Sequence, residues 1–344
     1  MKLCKRMGSL FFRLSALVMA FAPGASAQLA NTATESGVPI VTGNFSFQTS
    51  FQPGMQALMP EFDPVILAPI GRKLLVESEF DMFMNVERTD GQWGPGVVEH
   101  GVEYLQLDYF VHPNLTIVAG RFLTPFGIYR ERLHPMWIRN LADEPIIFTM
   151  NDNSSNGAML RGSARVTSGM NVTYESYYSV ATTNSQLFAD RRTGGRGSLF
   201  FPNKRVEVGV SFSRVLNQRY DMVGADLTWT PRKIPFDLRS EFIHSAKLGT
   251  GYWVEGAYRL KKLGTNAFLR NSELAIRGEQ YRVPQTPQFL NTDLPTENTT
   301  RTTLGWNYYM HNGIRLDAAY GRNFANGASN NIWTAGMTYR FAFF

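Results

Sequence analysis

The chain has 344 residues, of which 44% are hydrophobic and 18% charged, and its 34 Lys and Arg exceed its 28 Asp and Glu by six. Four of those cations (Lys2, Lys5, Arg6, Arg13) lie ahead of an apolar run from Leu14 to Ala22 and an Ala25-Ser26-Ala27 exit. That is the pattern of a secretory signal peptide over 1–27, whose removal leaves a net charge near +2 and argues against a nucleic-acid partner.

The lone cysteine, Cys4, leaves with this leader. Disulfide scaffolds and cysteine-ligated metals are thereby excluded. Cys4 also precedes the apolar run, which is wrong for lipid attachment at the cleavage point. The remaining chain is rich in hydrophobic residues yet has no run near the roughly 18 apolar residues of a spanning helix. Strands that alternate lipid-facing and water-facing side chains resolve that conflict, because they spread hydrophobicity thinly.

Residues 28–72 are read as a periplasmic segment, an inward plug or two extra strands, since Phe45, Phe47, Thr49 and Phe51 alternate. From residue 73 on, period-two patterning predicts strands near 73–86, 99–111, 114–123, 157–167, 170–181, 194–201 and 204–215. Seven more follow near 219–230, 235–246, 251–260, 268–282, 299–310, 314–324 and 331–343. In the first, Val76, Phe80, Met82 and Met84 oppose Glu77, Glu79 and Asp81; near 204–215, Val206, Val208, Val210 and Phe212 oppose Glu207, Ser211 and Ser213. A charged face of this kind faces water or a polar lumen, never lipid.

Tight turns near 112–114, 168–169, 202–203, 231–235, 261–266 and 311–313 alternate with mostly longer connections, of which 124–156 is the longest. In the last strand Trp333, Met337, Tyr339 and Phe341 share one face and Thr334, Thr338 and Arg340 the other. The expected fold is an all-β, transmembrane, antiparallel up-and-down barrel over 73–344. It has about 14 strands, or 16 if 28–72 contributes two, and it sits in a bacterial outer membrane against lipid. A soluble β-sandwich would share the short strands but not the two-class rhythm of the connections.

The stretch Gly120-Arg121-Phe122-Leu123-Thr124-Pro125-Phe126-Gly127, with Gly157-Ala-Met-Leu-Arg-Gly162 downstream, resembles the phosphate-selective porin O and P family. The resemblance implies a trimeric diffusion channel whose long loops fold inward. It does not carry phosphate selectivity, which in that family rests on a basic ladder. Here Arg121, Arg161, Arg165, Arg239, Arg259, Arg277 and Arg315 share the expected lumen with Glu77, Glu79 and Asp81.

The connection 124–156 holds Arg130, Glu131, Arg132, His134 and Arg139 among aromatics. Long loops without regular structure are usually functional, so this one is expected either to constrict a pore or to pack on the rim. The expected solutes are small and polar or anionic. The histidines are scattered, with no His-x-His or Glu-x-x-His spacing, so no metal or other cofactor is expected. Two other readings remain at this level: a non-conducting barrel that sheathes a partner such as a periplasmic redox carrier, and a barrel hydrolase. No nucleophile and base are singled out for the latter.

Overall fold

In a computed structural model, which describes residues 37–151, 154–262, 266–285 and 293–343, the chain forms one closed antiparallel sheet. The leader segment 1–27 lies outside the described residues. Sixteen strands make the wall: β1 (Ile40–Gln52), β2 (Met55–Ile70), β3 (Leu74–Thr89), β4 (Val97–His112), β5 (Leu115–Leu123), β6 (Ser154–Thr167), β7 (Met170–Ser179) and β8 (Arg192–Phe201). The other half comprises β9 (Val206–Val215), β10 (Tyr220–Trp229), β11 (Phe236–Ser245), β12 (Gly249–Arg259), β13 (Ser272–Arg282), β14 (Thr299–Tyr309), β15 (Ile314–Ala325) and β16 (Ala328–Phe343). A two-residue strand at Gln92–Trp93 only extends the β3–β4 hairpin. Each strand pairs with its neighbour in sequence, and β1 closes the ring on β16 from Val41↔Phe343 to Phe51↔Trp333.

The count is sixteen, the number expected if the stretch before residue 73 contributes two strands, because 40–70 forms two wall strands. β2 carries Pro60, Pro64 and Pro69, which ordinarily demote a segment from a sheet interior because proline donates no ladder hydrogen bond. The structure shows how two of them are accommodated. β2 and β3 pair at Leu58↔Val86, Glu61↔Phe83, Phe62↔Met82 and Val65↔Glu79, with the ladder interrupted at Met59-Pro60 and again at Asp63-Pro64. On the other side β1 meets Pro64 with Gly43, at φ +153°, where an added Cβ would collide with the Asp63 carbonyl.

Alternation then sorts the side chains. Phe45, Phe47, Val210, Phe212, Trp333 and Tyr339 are exposed on the outer face, whereas Asn44, Ser46, Ser211, Ser213, Thr334 and Thr338 are buried within. Aromatics gather at the end bearing the short turns, where Phe268 stacks on Tyr308 with ring centroids 5.3 Å apart and Trp229 meets Phe236 edge-on at 6.1 Å. An apolar outer band with aromatic borders is what a bilayer-spanning barrel requires. No helix among the described residues is long and apolar enough to cross a membrane.

Candidate pore constriction

The connection between β5 and β6, described over residues 124–151, does not stay at the rim. Pro125-Phe126-Gly127 turns it inward. Gly127 has φ +67°, and a Cβ there would collide with the Glu241 carboxylate. Its N–H donates to Ser211 Oγ at 3.0 Å, and the N–H groups of Ile128 and Tyr129 both donate to Glu241 Oε2 at 3.1 Å. Ser211 and Glu241 are buried residues in the interiors of β9 and β11. The backbone of the loop therefore satisfies itself on wall side chains that point inward.

A short helical turn, Tyr129–Leu133, follows, and its apolar residues join a buried cluster with Ile147 and Phe148 farther along the loop. The wall side of that cluster includes Val215, Met222, Ile243, Trp253 and Tyr281. Tyr129 meets Trp253 edge-on at 6.0 Å and Phe148 at 5.1 Å. Each large apolar side chain so buried contributes about 1.5–3 kcal/mol. Ordering a residue's backbone costs about 1–2 kcal/mol, so this cluster holds its own stretch and the rest of the loop needs other anchors.

Those anchors are polar, and most grip the loop's main chain. Arg239 donates to the Ile138 carbonyl at 3.1 Å, Arg315 to the Arg139 carbonyl at 2.6 Å, and Asn307 to the Asn140 carbonyl at 2.8 Å. Arg277 donates to the Asp143 and Glu144 carbonyls at 2.8 and 3.2 Å, and Arg301 also reaches the Glu144 carbonyl. In return the Ile146 N–H donates to Glu279 at 2.6 Å, and Asn140 Nδ2 to Glu255 at 2.9 Å. Arg315 is the second residue of β15 and Arg239 the fourth of β11, so the tip near 138–140 reaches toward the short-turn end of the barrel.

The structure thus places Arg239, Arg277 and Arg315 beneath the loop, where their guanidinium groups serve as anchors. Arg121 also binds main chain, at the Val102 and Phe188 carbonyls, and Asn156. Arg161 pairs with Asp108 and lies 3.9 Å from Glu77. Arg259 pairs with Glu273 at 3.1 Å and sits 4.8 Å over the Tyr309 ring, at the short-turn end; Arg165 is exposed there too.

Within the loop, Arg130 is buried against Glu103 and Ser154, Arg132 holds Glu207 with both carboxylate oxygens (2.9 and 2.8 Å), and Arg139 pairs with Glu144 at 3.0 Å. Glu131 is half-buried. Glu79 and Asp81 belong to β3, beside Glu61 and Asp63 of β2; oxygens of Glu61, Asp63 and Asp81 lie within 4.8 Å of one another. Patterning marked Glu79 and Asp81 but passed over Glu61 and Asp63, since their strand was hidden by its prolines.

His134 stacks on Phe148 at 6.4 Å. Burial, with the Arg130 guanidinium nearby and Arg139 adding to it against the pull of Glu103, pushes its imidazole down to about 3. The undocked loop would titrate near the ordinary 6.5. The stability that a neutral His134 lends to docking is therefore complete above about 6.5 and declines as the pH falls toward about 3. Loop opening, read as current flicker in single-channel records, should increase over that acid range, and His134→Gln should remove this part of the dependence.

No family model matches this chain, and no curated protein does. Among solved structures, its fold is similar to that of Pseudomonas putida OprB, at TM-score 0.60 and 10% identity, covering 94% of this chain and 98% of that one. It is similar also to the anion-selective porin from Comamonas acidovorans, at TM-score 0.57 and 9% identity, covering 88% and 99%. The outer membrane channel DcaP of Acinetobacter baumannii gives TM-score 0.52 and 11% identity, covering 88% and 97%. At such identities the likeness is one of fold.

Proposed function

We propose that the chain is a bacterial outer-membrane diffusion channel: a water-filled barrel through which small polar or ionic solutes pass down their gradients, narrowed by the loop 124–151. The observation that carries this reading is the loop's docking inside the barrel, on Glu241, Arg277 and Arg315. An apolar outer band against lipid and a charged interior support the same reading. So does the porin-like fold. Association into trimers belongs to the resemblance around Gly120–Gly127.

A sheath around a partner protein fits less well, because the chain's own loop already occupies the interior that a threaded polypeptide would need. Anion preference from Arg130, Arg132 and Arg139 is also disfavoured, because each has a carboxylate partner. The test is planar-bilayer recording of the purified, detergent-extracted protein. Stepwise ohmic conductance is expected; a folded protein that inserts yet never conducts would refute the channel.

A further inference from the structure

Docking of the loop divides the interior into two electrostatically different walls. On the side where the loop docks, the wall arginines are paired among the described residues. Arg196 pairs with Asp226 at 2.6 Å and Glu207 at 3.2 Å, Arg277 with Glu279 at 3.0 Å and Glu255 at 3.4 Å, and Arg301 with Glu279 at 2.7 Å. Charges paired at these distances and shut away from water project little field into a passage beyond them.

The wall formed by β2 and β3 is different: Asp63 and Glu79 are buried there, and Glu61 and Asp81 half-buried. Glu61, Asp63, Glu79 and Asp81 take part in no ion pair among the described residues. The register, fixed by Phe62↔Met82 and Val65↔Glu79, sets Asp63 opposite Asp81 at the place where Pro64 interrupts the ladder. Like charges directly opposite each other on a sheet are destabilising, and adjacent carboxylates cannot all ionise without a compensating cation or proton. The surrounding groups offer few donors, one of them Ser46 Oγ to Glu61 Oε2 at 2.9 Å. Asn44, fully buried, gives its Nδ2–H to Asp63 Oδ2 at 2.7 Å, yet its own Oδ1, Asp63 Oδ1 and Asp81 Oδ1 have no donor. The fully buried Asn44, bonded to Asp63 and with its own oxygen lacking a donor, adjoins a cluster whose chemistry calls for a positive partner.

We propose that this pore favours cations, and that Glu61, Asp63 and Asp81 form the point at which cations gather and anions are turned back. The proposal rests on the diffusion-channel reading and reverses the preference that the arginine-rich loop alone would suggest. Clustered carboxylates along a passage select by charge. The guanidinium groups that act on them do not cancel the cluster, since Arg139 is paired with Glu144 and Arg130 with Glu103.

The test is the reversal potential of the full-length protein in bilayers under a KCl gradient. The wild type should reverse on the potassium side of zero. Since a unit charge at contact distance in water changes local ion density about five-fold, the triple variant Glu61→Gln, Asp63→Asn, Asp81→Asn should lower the potassium-to-chloride preference by about five-fold or more. Glu61→Gln alone, at a half-buried position, gives a smaller shift in the same direction and serves if the triple variant fails to assemble. A wild-type potential at zero or on the chloride side would overturn the proposal, as would variants that conduct with unchanged preference. Absence of any conductance would instead refute the channel itself, which is a separate result.

Discussion

Replacing residues 126–151 by a short Gly-Ser turn should raise single-channel conductance by at least about two-fold, because the segment removed is what fills the covered side of the lumen. The deletion is geometrically mild, since Leu123 and Ser154 are direct register partners across β5 and β6. The barrel should still assemble, because its ladder runs from strand to strand and closes through β1 and β16 without the loop. Ion preference should move at the same time. Glu103 would lose Arg130 and Glu207 would lose Arg132, whereas Arg239, Arg277 and Arg315 keep Asp237, Glu255, Glu279 and Asp317, so the reversal potential should shift further toward potassium. Larger conductance with no shift would mean that Glu103 and Glu207 find other cationic partners on the wall.

Arg277→Met should loosen the loop without unfolding the barrel. The Arg277 side chain is fully buried and joins four partners: Glu255, Glu279 and the carbonyls of Asp143 and Glu144. Removing one member of a buried ionic set costs about 3–5 kcal/mol, chiefly because the others are left uncompensated. The expected result is noisy, flickering current and trypsin cleavage after Arg139 in the folded barrel, with little change in the barrel's own melting temperature. Arg277→Lys, which keeps the charge but not the forked geometry, should fall between. A variant as quiet and as protease-resistant as the wild type would show that the loop is held elsewhere.

Most of the wall was legible in the sequence because a strand's period of two survives any tertiary context. Val206–Val215 and Ile314–Ala325 lie within two residues of the stretches their alternation indicates. The exception was β2. Its prolines mask a strand because proline argues against sheet interiors, and only the register reveals that the ladder is interrupted at Pro60 and Pro64. The loop's inward course was half visible. Its length and its mixture of charge and aromatics marked it, but which arginines point at water and which at a carbonyl depends on contacts such as Arg315 with Arg139, separated by most of the chain. Gly127 was flagged by a motif, and its physical reason, the approach of Glu241, needed coordinates.

The loop's polar moorings are chiefly to its main chain: the carbonyls of Ile138, Arg139, Asn140, Asp143 and Glu144, and the amides of Ile128, Tyr129 and Ile146. Carbonyls and amides survive nearly any exchange of side chain. Evolution, or an engineer, could therefore repaint the face that the loop presents to the current, altering what passes while the tether itself stays in place.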